Sequence, residues 1–167
     1  LKGTLSVTGG CGGMGGAQPL SITMNDGTCL IADVCIERLE KRVHDRYLDE
    51  IHQDLNVAID LAVEAKQNKK PISIGYVGNI VDLLARLQER EIIPDILTDQ
   101  TSAHDALVGY YPTEMSRTEA DALRKSDPEE YVKQSTATMV EHVKLMLWFM
   151  NKGSETFDYG NNLRQCA

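Results

Sequence analysis

No apolar run in this sequence approaches the length of a membrane span. A transmembrane helix needs about 20 consecutive apolar residues, and the first residues show no basic segment followed by an apolar one, the pattern of a secretory signal. These absences argue against a membrane protein and against a secreted one. We expect a soluble protein of the cytoplasm.

Basic residues are too few and too dispersed for a nucleic-acid surface. The chain has 17 Lys and Arg against 25 Asp and Glu, for a net charge of -8. The Lys and Arg residues are scattered over predicted helices and form no stripe that could follow a phosphate backbone. We expect no nucleic-acid partner.

Cysteine and histidine also lack the spacings of metal or disulfide sites. The four cysteines are Cys11, Cys29, Cys35 and Cys166, with no C-x-x-C pair among them. His44, His52 and His142 have no companion ligands at metal spacing, so no metal site is expected. We predict reduced thiols that are small buried apolar groups, except for Cys11, whose position near a helix N-terminus predicts a lowered pKa.

Apolar runs alternate with helical patterns along all 167 residues, of which 42% are hydrophobic. This alternation predicts one α/β domain over residues 1–167, with a Rossmann-like parallel sheet of about five strands covered by helices on both faces. The predicted strands are residues 4–8, 28–34, 72–77, 95–98 and 154–158. Helices are predicted for residues 15–25, for two segments between 36 and 68, and for 79–90.

Two further helices are predicted in the last third. Ser116 and Glu119 form a capping box that opens a short helix, and Asp127 reads as the N-cap of a longer one that ends near Gly153. The predicted buried stripe of that longer helix comprises Met139, Val140, Val143, Met146, Leu147 and Met150. Strand-like residues follow Leu1 almost at once, and residues 162–167 resemble a shortened helix, so we expect a domain of a longer chain.

Glycines at positions 10, 12 and 15 follow the first predicted strand and precede a helix. This G-x-G-x-x-G context is typical of a loop that binds the pyrophosphate of a dinucleotide, because glycine allows a sharp turn and a close backbone approach. A merely flexible turn is the alternative. Asp33, about 20 residues further along, is placed to accept hydrogen bonds from an adenosine ribose, which favours NAD over NADP, although nearby Arg38 leaves NADP open.

Polar side chains follow three other predicted strands. They are Asn79, the run of residues 99–105 and the run of residues 158–162. Ligands of open parallel sheets bind beyond the carboxyl ends of strands, where His104 has the chemistry of an acid, a base or an orienting donor. A solvated loop with Asx and Ser/Thr turns is an equally good interpretation of residues 99–105.

Read in order, these segments resemble one family. GGMGGAQP at residues 12–19, DQTSAH at 99–104, GYYP at 109–112 and FDYGNN at 157–162 are similar to the central NAD-binding domain of urocanase, or urocanate hydratase. The resemblance implies a hydro-lyase of histidine degradation that adds water to urocanate to give imidazolone propionate. It also implies tightly bound NAD+ used as an electrophile without net hydride transfer, and a homodimer that includes flanking urocanase domains.

The resemblance further implies which residues contact NAD. Gly13, Met14 and Gly15 would hold the pyrophosphate, while Asp33 and Arg38 would lie at the adenosine half. The rest of the pocket would comprise Asn79, Ile80, Gln100, Thr101, Ser102, Ala103, His104, Tyr110, Tyr111 and Tyr159.

Four positions depart from the family pattern. Cys11 replaces a usual Leu, Asp33 a usual Glu, Cys35 a common Asp and Ile80 a usual Ala. None of the four cysteines lies in the family's catalytic motif, so no catalytic residue is expected here and the chain alone should bind NAD without turning over urocanate. Two other functions fit the glycine pattern: the cofactor domain of an NAD-dependent dehydrogenase and a non-catalytic nucleotide-binding module.

Overall fold

The computed structural model describes all 167 residues, and its core is a parallel sheet. The strands are β1 (Leu5–Gly9), β2 (Thr28–Asp33), β3 (Glu50–His52), β4 (Ile72–Val77), β5 (Ile96–Asp99) and β6 (Glu155–Asp158). Their order across the sheet is β3-β4-β2-β1-β5-β6. Since β1 lies between β2 and β5, the chain builds outward from β1 in one direction and then in the other, which creates a topological switch point beside β1.

A 3-10 turn at Gly15–Ala17 leads into the first of seven α-helices. The helices are α1 (Gln18–Thr23), α2 (Ile36–His44), α3 (Leu55–Gln67), α4 (Ile80–Glu89), α5 (Arg117–Ser126), α6 (Pro128–Asn151) and α7 (Leu163–Cys166). None of them combines the length and the apolar character needed to cross a lipid bilayer.

The predicted α/β fold is confirmed, with one strand more than expected. All five predicted strands are present, and β3 is the addition. It is only three residues long and pairs with β4 at the edge of the sheet, where Ile51 lies opposite Gly75. Glu50 and His52 flank that single apolar residue, so the segment has no run of apolar or β-branched residues to identify it.

Helix capping in the last third is as predicted. The Ser116 N–H donates to Glu119 Oε2 at 2.7 Å, and the Glu119 N–H donates to Ser116 Oγ at 3.3 Å, which completes the capping box of α5. The Asp127 carboxylate accepts from the Glu130 N–H at 3.0 Å and caps α6. These side chains satisfy N–H groups that have no partner inside the helix.

The predicted buried stripe of α6 is partly wrong. Leu147 and Met150 are 50% and 46% exposed. The face that packs inward instead comprises Tyr131, Ser135, Thr138, Met139, His142, Leu145, Met146 and Phe149. The stripe was misplaced because it was predicted from apolar residues alone. Three polar residues of this face are buried as well, through hydrogen bonds that join α6 to residues 109–113.

Side chains of the sheet pack on both faces. In β2, Leu30 belongs to the larger core on the side of α3, α4 and α6, while its neighbours Cys29 and Ile31 pack with Leu39 of α2 on the other side. This alternation follows from the two-residue period of a strand. Both faces are covered, so the carboxyl ends of the strands are the natural place for a ligand.

Candidate functional site

An open cleft lies at the carboxyl ends of β1, β2, β4 and β5. It lies at the switch point of the sheet, where open α/β folds bind their ligands. Its lining comprises Gly10, Gly12, Ala32, Asp33, Val34, Arg38, Gly78, Asn79, Ile80, Gln100, Thr101, Ser102, Gly109, Tyr110 and Tyr111. Nine of the fifteen residues implied by the family resemblance are therefore brought together in one place.

Close backbone approach explains two glycines of the loop between β1 and α1. Gly10 has φ +85°, and a Cβ there would lie 2.5 Å from the Gln100 carbonyl oxygen. A Cβ on Gly15 would lie 1.9 Å from the carbonyl oxygen of Gly10 itself. Both neighbours are backbone atoms that cannot move aside, so no larger residue fits and the loop must fold back on itself at these points.

Gly12 differs from these two because it faces open space. A Cβ at Gly12 or Gly13 would meet no atom within 4 Å. The N–H groups of Gly12, Gly13 and Met14 donate to no group of the protein. A turn with several free N–H groups and no side chain in the way has the properties of an anion-binding loop.

Arg42 organises this loop, a role that the sequence patterns did not suggest. Its Nη2 donates to the Gly12 carbonyl oxygen at 2.8 Å, and a Cβ on Gly16 would lie 2.1 Å from its Nε. Arg42 follows Arg38 by four residues on α2, so both guanidinium groups extend from the same face of that helix. The sequence signal for Arg42 was this four-residue spacing from Arg38. Both lie on a helix that begins soon after Asp33, the predicted ribose-binding carboxylate.

Asp33 connects the end of β2 to the glycine loop. Its Oδ2 accepts from the Cys11 N–H at 2.7 Å, its Oδ1 accepts from the Cys35 N–H at 2.8 Å, and Arg38 Nη1 lies 3.6 Å from Oδ2. Each carboxylate oxygen can accept more than one hydrogen bond. The side chain therefore fixes the loop and retains acceptor capacity toward the cleft, and its contact with a ribose stays a prediction.

The expected low pKa of Cys11 is wrong. The Cys11 thiol is buried, and its burial together with the Asp33 carboxylate raises its pKa to about 12. Burial likewise raises the pKa of Cys29, which packs in the same small core. Neither thiol forms a thiolate at neutral pH, so the loop offers hydrogen-bond donors and not a nucleophile.

The opposite wall of the cleft is held by Asn79. Its Oδ1 accepts from the Val81 N–H at 3.0 Å and caps α4, and its Nδ2 donates to the Tyr111 carbonyl oxygen at 2.9 Å. Ile80 follows at the start of the helix and is 4% exposed. One amide side chain therefore joins α4 to the irregular segment that contains both tyrosines of the cleft.

Tyr111 is also held from the outside by α5. Its hydroxyl donates to Asp121 Oδ1 at 3.1 Å, and the guanidinium of Arg124 lies 4.9 Å from the centre of its ring. Arg117 of the same helix pairs with Glu37 of α2 at 2.6 Å. As a result, α5 spans from the tyrosine side of the cleft to the Arg38 side.

Six of the residues implied by the resemblance do not line the cleft. Gly13, Met14 and Gly15 follow Gly12 along the glycine loop, and their contact with a pyrophosphate stays a prediction. Ala103 is fully buried in the main core, while His104 is exposed at the surface. Tyr159 is 54% exposed and borders a different cavity, next to Phe157.

Asp99 begins the polar run predicted after the fourth strand, but its structural role was not predicted. It is completely buried at the end of β5, where its Oδ2 accepts from Thr101 Oγ1 at 2.5 Å and from the Asn161 amide. Asn161 also donates to the Thr101 carbonyl oxygen at 2.9 Å. Asp99 thus joins the segment after β5 to the segment after β6, two runs that the sequence showed only as separate polar stretches.

Comparison with known proteins places this architecture in a family. The family model for the urocanase Rossmann-like domain matches residues 1–167. Among solved structures, an alcohol dehydrogenase from the archaeon Thermococcus sibiricus, complexed with 5-hydroxy-NADP, is similar with 13% identity and a TM-score of 0.46 over 93% of this chain and 57% of that one. An NAD+-bound xylitol dehydrogenase is similar with 13% identity and a TM-score of 0.36 over 94% of this chain and 52% of that one.

The chain thus spans little more than half the length of either dehydrogenase. The family match, in contrast, covers every residue. It confirms the resemblance seen in the four sequence segments. The chain therefore belongs to the urocanase family and corresponds to the Rossmann-like domain of that family.

Proposed function

We propose that this chain binds NAD+ and is the cofactor-binding module of an enzyme that adds water to urocanate. The observation that carries the proposal is the combination of three free N–H groups, at Gly12, Gly13 and Met14, with Asp33 and Arg38 around the same cleft. In such an enzyme the bound cofactor supplies an electrophilic nicotinamide ring. This chain supplies the groups that hold and orient the cofactor.

The residues present fit a dinucleotide. The free N–H groups are suited to a pyrophosphate, and the open space beside Gly12 lets an anion approach the backbone. Asp33 lies at the end of β2, where ribose hydroxyls are usually bound, and Arg38 is half exposed beside it. Asn79, Ile80, Gln100, Thr101, Ser102, Tyr110 and Tyr111 are available for the remainder of the cofactor.

For the three residues away from the cleft and the glycine loop, we propose a smaller part in NAD binding. Ala103 fills the core beneath the loop, so its side chain would act by supporting the loop backbone. His104 and Tyr159 are exposed outside the cleft. We expect substitutions at His104 and Tyr159 to change the NAD affinity of this chain less than substitutions in the lining.

The chemistry of urocanate hydration needs more than this chain provides. Cys11 and Cys29 are buried with raised pKa values, and no cysteine lines the cleft. We propose that other urocanase segments supply the substrate site and the catalytic thiol, and that the complete enzyme is a cytoplasmic homodimer of histidine degradation.

Native mass spectrometry of the chain with and without NAD+ tests the proposal. The wild type should gain the mass of one NAD, and Asp33→Ala should lose most of that complex. Asp54→Ala is the matched control, because Asp54 also accepts a backbone N–H, from Val57 at 3.0 Å, but caps α3 outside the cleft. Absence of NAD binding, or equal binding by wild type and Asp33→Ala, would overturn the assignment.

An absorbance assay separates the hydratase from a dehydrogenase. The hydration cycle returns NAD+ unchanged, so the complete enzyme should convert urocanate without accumulating NADH. Accumulation of NADH in step with substrate consumption would instead support a hydride-transferring enzyme.

A further inference from the structure

A line of buried polar groups runs behind the cleft from α6 to the end of β5. His142 and Asp99 are both completely buried, with His142 Nε2 lying 3.9 Å from Asp99 Oδ1. On the other side of the imidazole ring, Nδ1 lies 3.0 Å from the hydroxyl of Tyr110, which is 2% exposed. The three side chains therefore form one connected row.

Two atoms of this row have no partner except each other. His142 Nε2 and Asp99 Oδ1 are both buried and make no hydrogen bond within 3.5 Å. An unpaired buried donor or acceptor is costly, and these two face each other across 3.9 Å, so each is the nearest charge partner that the structure gives the other.

The surrounding hydrogen bonds favour one tautomer of His142. Asp99 Oδ2 accepts from Thr101 and from Asn161, which is the behaviour of a carboxylate. An Nε2–H that faces this carboxylate leaves Nδ1 as the acceptor for the Tyr110 hydroxyl, and we assign the tautomer of His142 on this network. Burial lowers the pKa of His142, opposed by the Asp99 charge, and so favours this neutral form.

Both ends of the row reach the cleft. Tyr110 contributes directly to its lining, and Asp99 acts through Thr101, which is also part of the lining. Helix α6 strengthens the Tyr110 end, where the hydroxyl of Tyr131 donates to the Tyr110 carbonyl oxygen at 2.9 Å. A single imidazole thus connects a long, well-packed helix to two separate parts of the cleft wall.

We propose that His142 is a positioning residue of the cofactor site, holding Tyr110 and, through Asp99, Thr101 in the arrangement that binds NAD. The proposal rests on the proposed function, since it assigns His142 a part in cofactor binding. His142 makes no hydrogen bond to the glycine loop and does not line the cleft, so its polar contacts act through the other two side chains.

The test compares the NAD+ affinities of variants whose folded fraction has been determined. The affinities are measured by isothermal titration calorimetry. His142→Leu removes both hydrogen-bonding atoms and should weaken NAD+ binding about tenfold, as expected for one buried hydrogen bond. His142→Gln retains a donor toward Asp99 and should recover most of that loss. Thr138→Val is the control, because Thr138 also bonds the segment beyond Tyr110, through the Thr113 N–H at 3.1 Å, but has no contact with Asp99.

Hydrogen exchange of the same variants in the absence of NAD+ gives a second measurement that does not depend on cofactor binding. His142→Leu should speed exchange at residues 100–111, His142→Gln should restore protection, and Thr138→Val should leave residues 100–102 unchanged. If His142→Leu does not fold, Tyr110→Phe removes the other end of the row and should raise Kd about threefold, a fraction of one hydrogen bond.

The outcomes separate the two proposals. If the wild type binds NAD+ and His142→Leu binds it equally well, the positioning role is wrong while the proposed function stands. If Gln does not restore what Leu loses, the histidine acts by packing alone and the inference fails. If the wild type does not bind NAD+, the proposed function and the role of His142 in it both fail, and the exchange data show only whether His142 orders the loop.

Discussion

Glycine serves two purposes in this loop, since at some positions the fold leaves no room for a side chain and at others the proposed ligand does. The substitution Gly12→Ala should separate these two purposes. A Cβ at Gly12 meets no atom within 4 Å, and the backbone there has no positive φ, so alanine fits the folded chain. Alanine at a compatible position stabilises a protein by about 0.4–1 kcal/mol, because it restricts the unfolded chain. The free energy of unfolding should therefore stay the same or rise slightly.

NAD+ affinity should change in the opposite direction. In the proposed complex the pyrophosphate occupies the space beside Gly12, so the added methyl group competes with it. Overpacking of a close contact costs about 1–3 kcal/mol, which corresponds to an increase of about 5- to 150-fold in Kd. Few other substitutions in this chain are expected to raise stability and lower affinity together.

Urea denaturation and calorimetric NAD+ titration of the same preparation give both quantities. Gly15→Ala is the comparison, since a Cβ there would lie 1.9 Å from the Gly10 carbonyl oxygen and should lower stability and affinity alike. Unchanged NAD+ affinity in a stable Gly12→Ala protein would refute the placement of the pyrophosphate at this loop.

Three other predictions concern thiols, pH and capping. Iodoacetamide at neutral pH should modify the partly exposed Cys166 well before the buried Cys11, as followed by peptide mass spectrometry. The free energy of unfolding should fall as pH drops below about 6.5, because the unfolded chain binds the His142 proton more readily than the folded one, and urea denaturation of His142→Gln should lack this slope. Ser116→Ala should cost about 0.5–2 kcal/mol of unfolding free energy by the same method, and a smaller effect would mean that the capping box contributes little.

Local patterns in the sequence were sufficient for most of the fold. Alternating apolar runs and caps such as Asp127 located five strands and the long helices, because each signal depends on neighbours a few residues apart. The strand β3 was missed because one partly buried isoleucine between two polar residues carries no such signal. The exposed face of α6 was misjudged for a related reason, since apolarity does not reveal which side of a helix faces the sheet.

The candidate site was predictable where its residues follow strands. The cleft gathers Asp33, Asn79 and the run from Gln100 to Ser102, all of them at strand ends. The environment of a side chain was not predictable in the same way. Cys11 was expected to be reactive from its place near a helix, but the packing around it raises its pKa.

Long-range pairs were beyond the reach of sequence patterns. His142 had no companions at metal spacing, and its true neighbours lie 43 and 32 residues away along the chain, at Asp99 and Tyr110. Arg42 likewise meets Gly12 across 30 residues. Such contacts depend on how helices dock on the sheet, which no spacing rule specifies.

The central claim is that NAD+ binds in this cleft with its pyrophosphate at the glycine loop. The most direct test is a titration of the ¹⁵N-labelled chain with NAD+, followed by the amide signals in two-dimensional NMR spectra. The account predicts saturable shifts that are largest at Gly12, Gly13 and Met14, with further shifts at Gln100 and Thr101. No shifts, or shifts confined to the exposed surface of α6 and β6, would contradict it.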